Sequence, residues 1–159
     1  MLNLMLFAVG TLKESYLREA AAEYEKRLGA YCRMQTVSIK EARLPDAPSP
    51  AEIGAALAAE GKQILAAIPP RAYRIALCVE GTQLSSEELA QKLERIQETH
   101  STVCFVIGSS YGLAPEVKNA CDLRLSFSKL TFPHQLMRVM LLESVYRALG
   151  ISAGSKYHK

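Results

Sequence analysis

Hydrophobic residues recur along this chain at two periods, and the alternation between those periods lays out its elements. Leu2 to Val9 is continuously apolar except for Asn3 and stops at Gly10. That is the pattern of a strand buried on both faces. From Lys13 to Leu28 the period lengthens. Leu17, Ala20, Ala21, Tyr24 and Leu28 share one face with charges between them, which predicts an amphipathic helix closed at Gly29. Met34 to Ile39 alternates apolar and polar residues, the pattern of a half-buried strand suited to a sheet edge. Arg43 to Pro50 holds Pro45, Pro48 and Pro50 and predicts an exposed loop. Ser49, Pro50 and Glu52 then form a capping box, which starts a helix that runs to about Ala67 and is stopped by Pro69 and Pro70.

The second half repeats the alternation. Tyr73 to Val79 reads as a buried strand and Glu80-Gly81 as a turn. Ser85 caps a helix with Glu88 in the capping-box position and Leu89, Leu93 and Ile96 on its apolar face. Thr102 to Ile107 is a third buried strand, followed by Gly108-Ser-Ser-Tyr-Gly112. A short helix from Pro115 to Cys121, a short strand from Leu123 to Ser126 and a last helix from Pro133 to Leu149 complete the order. Pro133 suits the first turn of that helix, with Thr131 a nearby candidate cap. Strands alternating with helices predict an α/β fold: a mainly parallel sheet with helices on both faces, in a single domain over residues 1–159. The last helix is apolar around most of its middle, Met137 to Leu142, except for Arg138. It needs cover on more than one side, and a second copy of the chain is a natural cover.

Composition narrows the classes. The chain has 159 residues and a net charge of +3, which permits a polyanionic partner without demanding one. No apolar run is long enough to cross a bilayer and no secretion signal opens the chain, so a cytoplasmic protein with no membrane partner is expected. Cys32, Cys78, Cys104 and Cys121 have no metal-ligand spacing and are expected to be free thiols, with no metal bound.

The candidate chemistry lies in loops. Glu80 to Leu84, Gly108 to Leu113 and Phe127 to Pro133 each follow a buried strand, and in a parallel sheet such loops converge on one edge. Gly108 and Gly112 permit close approach of backbone to a ligand. Gly-Ser-Ser-Tyr-Gly is neither a P-loop nor a dinucleotide fingerprint. Its letters match a nucleophile elbow with Ser110 at the centre, but Leu113-Ala114-Pro115 delays the helix an elbow needs, so a hydrolase is a distant alternative. His134 and Arg138, four apart, share a face at the start of the last helix. The chain closes on Lys156-Tyr-His-Lys159, a basic and aromatic tail able to meet phosphate or stack on a base.

These residues, taken together, resemble the RlmH family of SPOUT-class methyltransferases acting on large-subunit ribosomal RNA. The resemblance is carried by Ala8-Val-Gly-x-Leu-Lys13, Tyr24-Glu-Lys-Arg-Leu28, Glu60-Gly and Glu80-Gly-x-x-Leu-Ser-Ser-Glu87. It continues through Phe105 to Leu113, Leu125-Ser-Phe-Ser-Lys-Leu-Thr-Phe-Pro-His-Gln135 and Tyr157-His-Lys159, and so spans nearly the whole chain. It implies a SPOUT-type fold with a C-terminal trefoil knot, a topology general rules do not anticipate. It also implies a homodimer through the last helix and S-adenosyl-L-methionine as methyl donor. The acceptor would be N3 of a pseudouridine in 23S rRNA, within the large subunit or the whole ribosome. On this resemblance Leu77, Gly81, Gly108, Phe127, Ser128, Lys129, Leu130, Thr131 and Phe132 are the expected cofactor residues. Ser109 stands where the family often has a second glycine, so its Cβ is expected to narrow the pocket or restrict the backbone.

The chemistry asks chiefly for alignment of acceptor, methyl and sulfur. His158, His134, Tyr157 or water are candidate acceptors for the N3 proton, and Arg138 is a candidate stabiliser of charge on the base. Tyr157 and His158 are expected at the substrate base and Lys159 on phosphate. The alternative is a cofactor-binding module that relies on a partner to capture RNA.

Overall fold

The computed structural model describes residues Met1–Lys159. Five strands form one sheet: β1 (Leu2–Val9), β2 (Cys32–Ile39), β3 (Tyr73–Gln83), β4 (Thr102–Ile107) and β5 (Leu123–Ser126), in the order β2-β1-β4-β3-β5. Every pairing is parallel, as the alternation of strand and helix predicts. The strands at the middle of the order are buried on both faces because they alternate between two cores. Leu4, Leu6 and Ala8 of β1 with Val103, Phe105 and Ile107 of β4 face one core; Phe7, Val9, Cys104 and Val106 face the other.

Helices α1 (Ser15–Leu28), α3 (Ser86–Gln97) and α5 (His134–Ser152) bury their apolar stripes in the first core, and α2 (Pro50–Ala67) and α4 (Pro115–Ala120) in the second. The two capping boxes form as read. Ser49 Oγ accepts from Glu52 N at 3.1 Å, and Glu52 Oε1 accepts from Ser49 N at 3.1 Å. Ser85 and Glu88 repeat the exchange at 3.0 and 2.9 Å. Each cap is worth about 1 kcal/mol to its helix.

Three expectations change. The Glu80-Gly81 turn is instead part of β3, which continues to Gln83 through a register break: Leu77 and Thr82 both face Leu125. Residues 78–81 are displaced from the ladder between them. Gly81 permits the crossing, because a Cβ there would lie 2.7 Å from the Arg124 carbonyl. The last helix begins one residue later, with Pro133 itself as the cap. Thr131 is exposed and makes no capping bond, since the chain stays extended through Pro133 (ψ 135°). Finally, much of the cover over α5 comes from within the chain, from α1 and α3. Leu136 remains exposed on it.

Candidate active site

Parallel strands place their carboxyl ends on one edge, and two cavities lie along it. The first, about 620 Å³, opens where β3, β4 and β5 end. Its walls are Leu77 to Glu80 from the displaced part of β3, Ile107 to Leu113 after β4, and Leu125, Phe127, Ser128 and Leu130 to His134 after β5, with Met137 and Lys118 at the margins. The loops after β4 and β5 singled out in the sequence converge here, while of Glu80 to Leu84 only Glu80 reaches the cavity, beside Leu77 to Val79 of β3.

Each loop is shaped by its own short polar residues. Ser126 Oγ donates to the Ser128 carbonyl at 3.1 Å, and Ser128 Oγ accepts from Leu130 N at 3.0 Å, so two hydroxyls fold the loop before α5. After β4, Ser109 O accepts from Gly112 N at 2.9 Å and Ser109 Oγ from Tyr111 N at 3.3 Å. Ser109 is buried, and no residue other than glycine has a positive φ. Its Cβ therefore does not strain the backbone, and its hydroxyl ties the turn. Gly108 lies so close to Gly112 that a Cβ would stand 2.1 Å from the Gly112 carbonyl oxygen.

The lining is apolar along Leu77, Ile107, Leu113, Leu125, Phe127 and Phe132, with one ion pair at its edge. Lys118 Nζ meets Glu80 Oε1 at 2.5 Å, and this contact holds the Glu80 carboxyl below its ordinary range. Burial pushes the Cys78 thiol up, so it stays protonated. All four cysteines are free. An apolar slot edged by a closed Glu80–Lys118 ion pair suits a ligand that carries an aromatic ring.

The second cavity, about 640 Å³, lies beside the ends of β1 and β2 and is polar. Gly10, Thr11, Lys13, Ser38, Lys40, Glu41 and Gln135 line it, and Ile39 is its apolar residue. Ser110 and His134 belong to both cavities and form the wall between them.

The expected site residues divide. Leu77, Gly108, Phe127, Ser128, Leu130, Thr131 and Phe132 line the first cavity, together with His134. Gly81 and Lys129 do not: Gly81 packs on the Arg124–Leu125 backbone, and Lys129 is exposed. Arg138 lines neither cavity. It is 5% exposed and donates from Nη2 to the Gly10 carbonyl at 3.0 Å, which makes it a positioning residue for the β1–α1 loop. His134 and Arg138 thus share a helix face without sharing a cavity. Burial lowers the His134 pKa, and Arg138 and Lys13 add to this against Glu41, so the ring is neutral at pH 7.

The tail lies elsewhere. Tyr157 Oη donates to Glu143 Oε1 at 3.1 Å, and Arg147 clamps the same oxygen. Arg147 Nη1 donates to His158 Nδ1 at 3.2 Å, and His158 Nε2 meets Glu87 Oε1 at 2.7 Å, a pattern that one neutral tautomer satisfies. Burial, with hydrogen bonds to Tyr24 and Glu143, pushes Tyr157 up to about 12. Glu143 is two and a half turns along α5 from His134, about 14 Å. Neither Tyr157 nor His158 lines the cavities of its own chain.

Sequence reasoning passed over Lys118, Lys40, Glu41 and the roles of Glu80, Lys13 and Gln135. The last three lie in stretches that carry the resemblance, which was the available signal. The hydrolase alternative loses its geometry: α4 starts at Pro115, five residues beyond Ser110, and no hydrogen bond joins Ser110 to His134.

Comparison with known proteins agrees with this architecture. A family model described as "Predicted SPOUT methyltransferase" matches residues 2–158. A protein from Leuconostoc mesenteroides named ribosomal RNA large subunit methyltransferase H is 46% identical over 159 residues, covering 99% of this chain and 100% of that protein. Its namesake from Ligilactobacillus salivarius is 45% identical over 160 residues, with 99% and 100% covered. Among solved structures, a probable methylase family protein from Haemophilus influenzae Rd KW20 superposes with a TM-score of 0.57 at 15% identity, over 99% of this chain and 71% of that one, a likeness of fold. From the match along residues 2–158 and the full-length relatives, the chain belongs to the SPOUT methyltransferase family.

Proposed function

We propose that this protein methylates N3 of a pseudouridine in 23S rRNA, using S-adenosyl-L-methionine, on the large subunit or the assembled ribosome. The observation that carries the reading is the pair of adjoining cavities with His134 and Ser110 as their common wall. One is apolar with an ion pair at its edge; the other is polar and holds two lysines and one glutamate. The full-length relatives named for large-subunit ribosomal RNA methylation support the substrate class.

The first cavity fits the donor. Leu77, Ile107, Leu113 and Phe127 offer apolar cover for an adenine, and the turned loops offer backbone N–H and C=O groups. When bound, S-adenosyl-L-methionine supplies an electrophilic methyl group. The chain's own work is to align the acceptor nitrogen, to exclude water and to take the N3 proton. His134 is neutral and faces both cavities, which supports it as the acceptor of that proton. The trefoil knot belongs to the same proposal, supported by the close approach of Gly81 on β3 to the distant Arg124–Leu125 backbone.

The tail keeps its substrate role only across a subunit boundary. Tyr157 and His158 are anchored on α5 and α3, and with Lys159 they lie away from their own chain's cavities. A homodimer through α5 would present them to the partner's site. Leu130, 71% exposed at the cavity mouth, and Leu136 on α5 offer apolar surface for that contact.

The test is methyl transfer from labelled S-adenosyl-L-methionine to ribosomes, large subunits and naked rRNA from a strain lacking the protein. Label in one large-subunit nucleotide, N3-methylated on digestion, is expected. Cofactor binding without transfer to any of the three would favour a module that needs a partner. Deleting Tyr157 to Lys159 is expected to raise KM for ribosomes at least about tenfold while cofactor affinity holds; an unchanged KM would remove the tail from the site.

A further inference from the structure

On the reading that the acceptor is a ribosomal nucleotide, we propose that the polar cavity at the ends of β1 and β2 is the acceptor-nucleotide pocket. It would take a pyrimidine nucleotide with its phosphate beside Lys13 and Lys40 and its base against Gln135. Three independent observations support this.

The first is chemical. The cavity has Ile39 as its apolar lining residue, so it does not suit an adenine seated by contact alone. Lys13 and Lys40 outweigh Glu41 there, which favours an anion. Gln135 Oε1 already accepts from Lys13 N at 3.1 Å, which fixes the amide orientation and leaves the Nε2 hydrogens as donors. A uracil-type ring has carbonyl oxygens on both sides of its N3–H, and they accept such donors.

The second is mechanical. The loop carrying Lys13 is fastened from several elements at once. Arg138 holds the Gly10 carbonyl, and Gly10 N donates to Ile39 O at 2.8 Å. Arg18 Nη1 donates to Leu12 O at 3.2 Å and Lys13 O at 2.6 Å. An ordinary strand-to-helix connection needs no such bracing, whereas a binding loop held to its productive geometry does.

The third is position. The pocket meets the donor cavity at Ser110 and His134 alone, so a base entering from the polar side arrives beside the residue that faces both.

The experiment combines Lys13→Ala/Lys40→Ala with Gln135→Glu, which keeps the acceptor for Lys13 N but replaces the amide donor by a carboxylate. Lys62→Ala on α2, outside both cavities, controls for loss of positive charge. The double lysine variant is expected to raise KM for ribosomes at least about tenfold and to flatten the salt dependence by about one unit per lysine. Gln135→Glu is expected to lower kcat/KM by about tenfold, with melting temperature unchanged. S-adenosyl-L-methionine affinity, measured by calorimetry, should stay within about twofold in both. An unchanged KM, or an equal loss in Lys62→Ala, overturns the proposal; so does a cofactor affinity that falls in step with KM.

If wild type transfers no methyl group to ribosomes, the functional reading has failed and the pocket is judged by binding. Uridine 5′-monophosphate titrated into ¹⁵N-labelled protein should shift the Lys13 and Gln135 amides saturably, and the double variant should not respond. Absence of shifts, or the same shifts with inorganic phosphate alone, overturns the pocket.

Discussion

The two cavities lie side by side on one edge of the sheet, yet they are built by opposite means. The apolar one is shaped locally. Ser126, Ser128 and Ser109 bond within two residues of themselves, and Gly108 closes on Gly112. The polar one is shaped at long range: α5 reaches back to the loop after β1 through Gln135 and Arg138, more than 120 residues away in the chain. Local turn chemistry makes a slot whose form depends on few neighbours. Long-range bracing ties the other site to the docking of α5, so the two sites answer differently to substitution.

The largest effect is expected where a local device has no room to adjust. Gly108→Ala places a Cβ 2.1 Å from the Gly112 carbonyl oxygen, so backbone must move. Overpacking of this kind costs about 1–3 kcal/mol, more against backbone than against a side chain. Cofactor binding and methyl transfer should both fall roughly 100-fold or more, since a shift near 1 Å is enough for that. Calorimetry with S-adenosyl-L-methionine and a thermal melt measure it. Wild-type cofactor affinity would show that the Gly108–Gly112 closure does not shape the slot.

The next effect falls on the common wall. His134→Gln keeps a polar side chain and removes the proposed base. A drop in kcat of about 100-fold is expected, with cofactor affinity little changed. The pH profile supplies the sign. Burial lowers the ring's pKa, with Arg138 and Lys13 acting in the same direction and Glu41 opposing them. The neutral, proton-accepting form therefore persists below the usual histidine value of about 6.5 and is lost only at still lower pH. Wild-type kcat should be flat through neutrality and fall below that point; in His134→Gln the acid limb should vanish. A profile identical in both proteins would move the proton to water or to the partner's tail.

Much of the fold was legible because its signals are local. Capping boxes at Ser49 and Ser85, apolar runs at Leu2–Val9 and Thr102–Ile107, and the proline stops need only neighbouring residues to be read. Two walls of the apolar cavity were legible for the same reason, since the loops after β4 and β5 follow strand ends. What escaped was made by contacts between distant segments. Nothing near Glu80-Gly81 tells that β3 runs on past a register break against β5. Nothing near Arg138 tells that its guanidinium turns inward to a glycine carbonyl rather than outward to a substrate. Tyr157 and His158 read as residues for the substrate base because nothing in the tail tells that the chain folds back after α5 onto Glu143 and Arg147, or that packing of α3 against α5 brings Glu87 to His158.

Arg138→Met tests that long-range bracing directly, and its effect should be the smallest of the three. The guanidinium is buried, and burial lowers its pKa against the pull of the Glu25 carboxylate. Replacing a buried cation by an apolar chain of similar length recovers part of its desolvation cost. It also leaves the Gly10 carbonyl without its donor, a loss of about 1–3 kcal/mol. The net should be a destabilisation of about 1 kcal/mol, a fall in Tm of about 2–4 °C. The functional loss should be lopsided. Ribosome KM should rise several-fold because the loop carrying Lys13 is loosened, while cofactor affinity stays near wild type because no wall of the apolar slot is touched. Arg138→Lys, which keeps a charge and a donor but shortens the reach, should fall between the two. If cofactor affinity dropped and ribosome KM did not, the division of labour between the cavities would be reversed, and α5 would serve the donor side through Met137 rather than the acceptor side through Gln135.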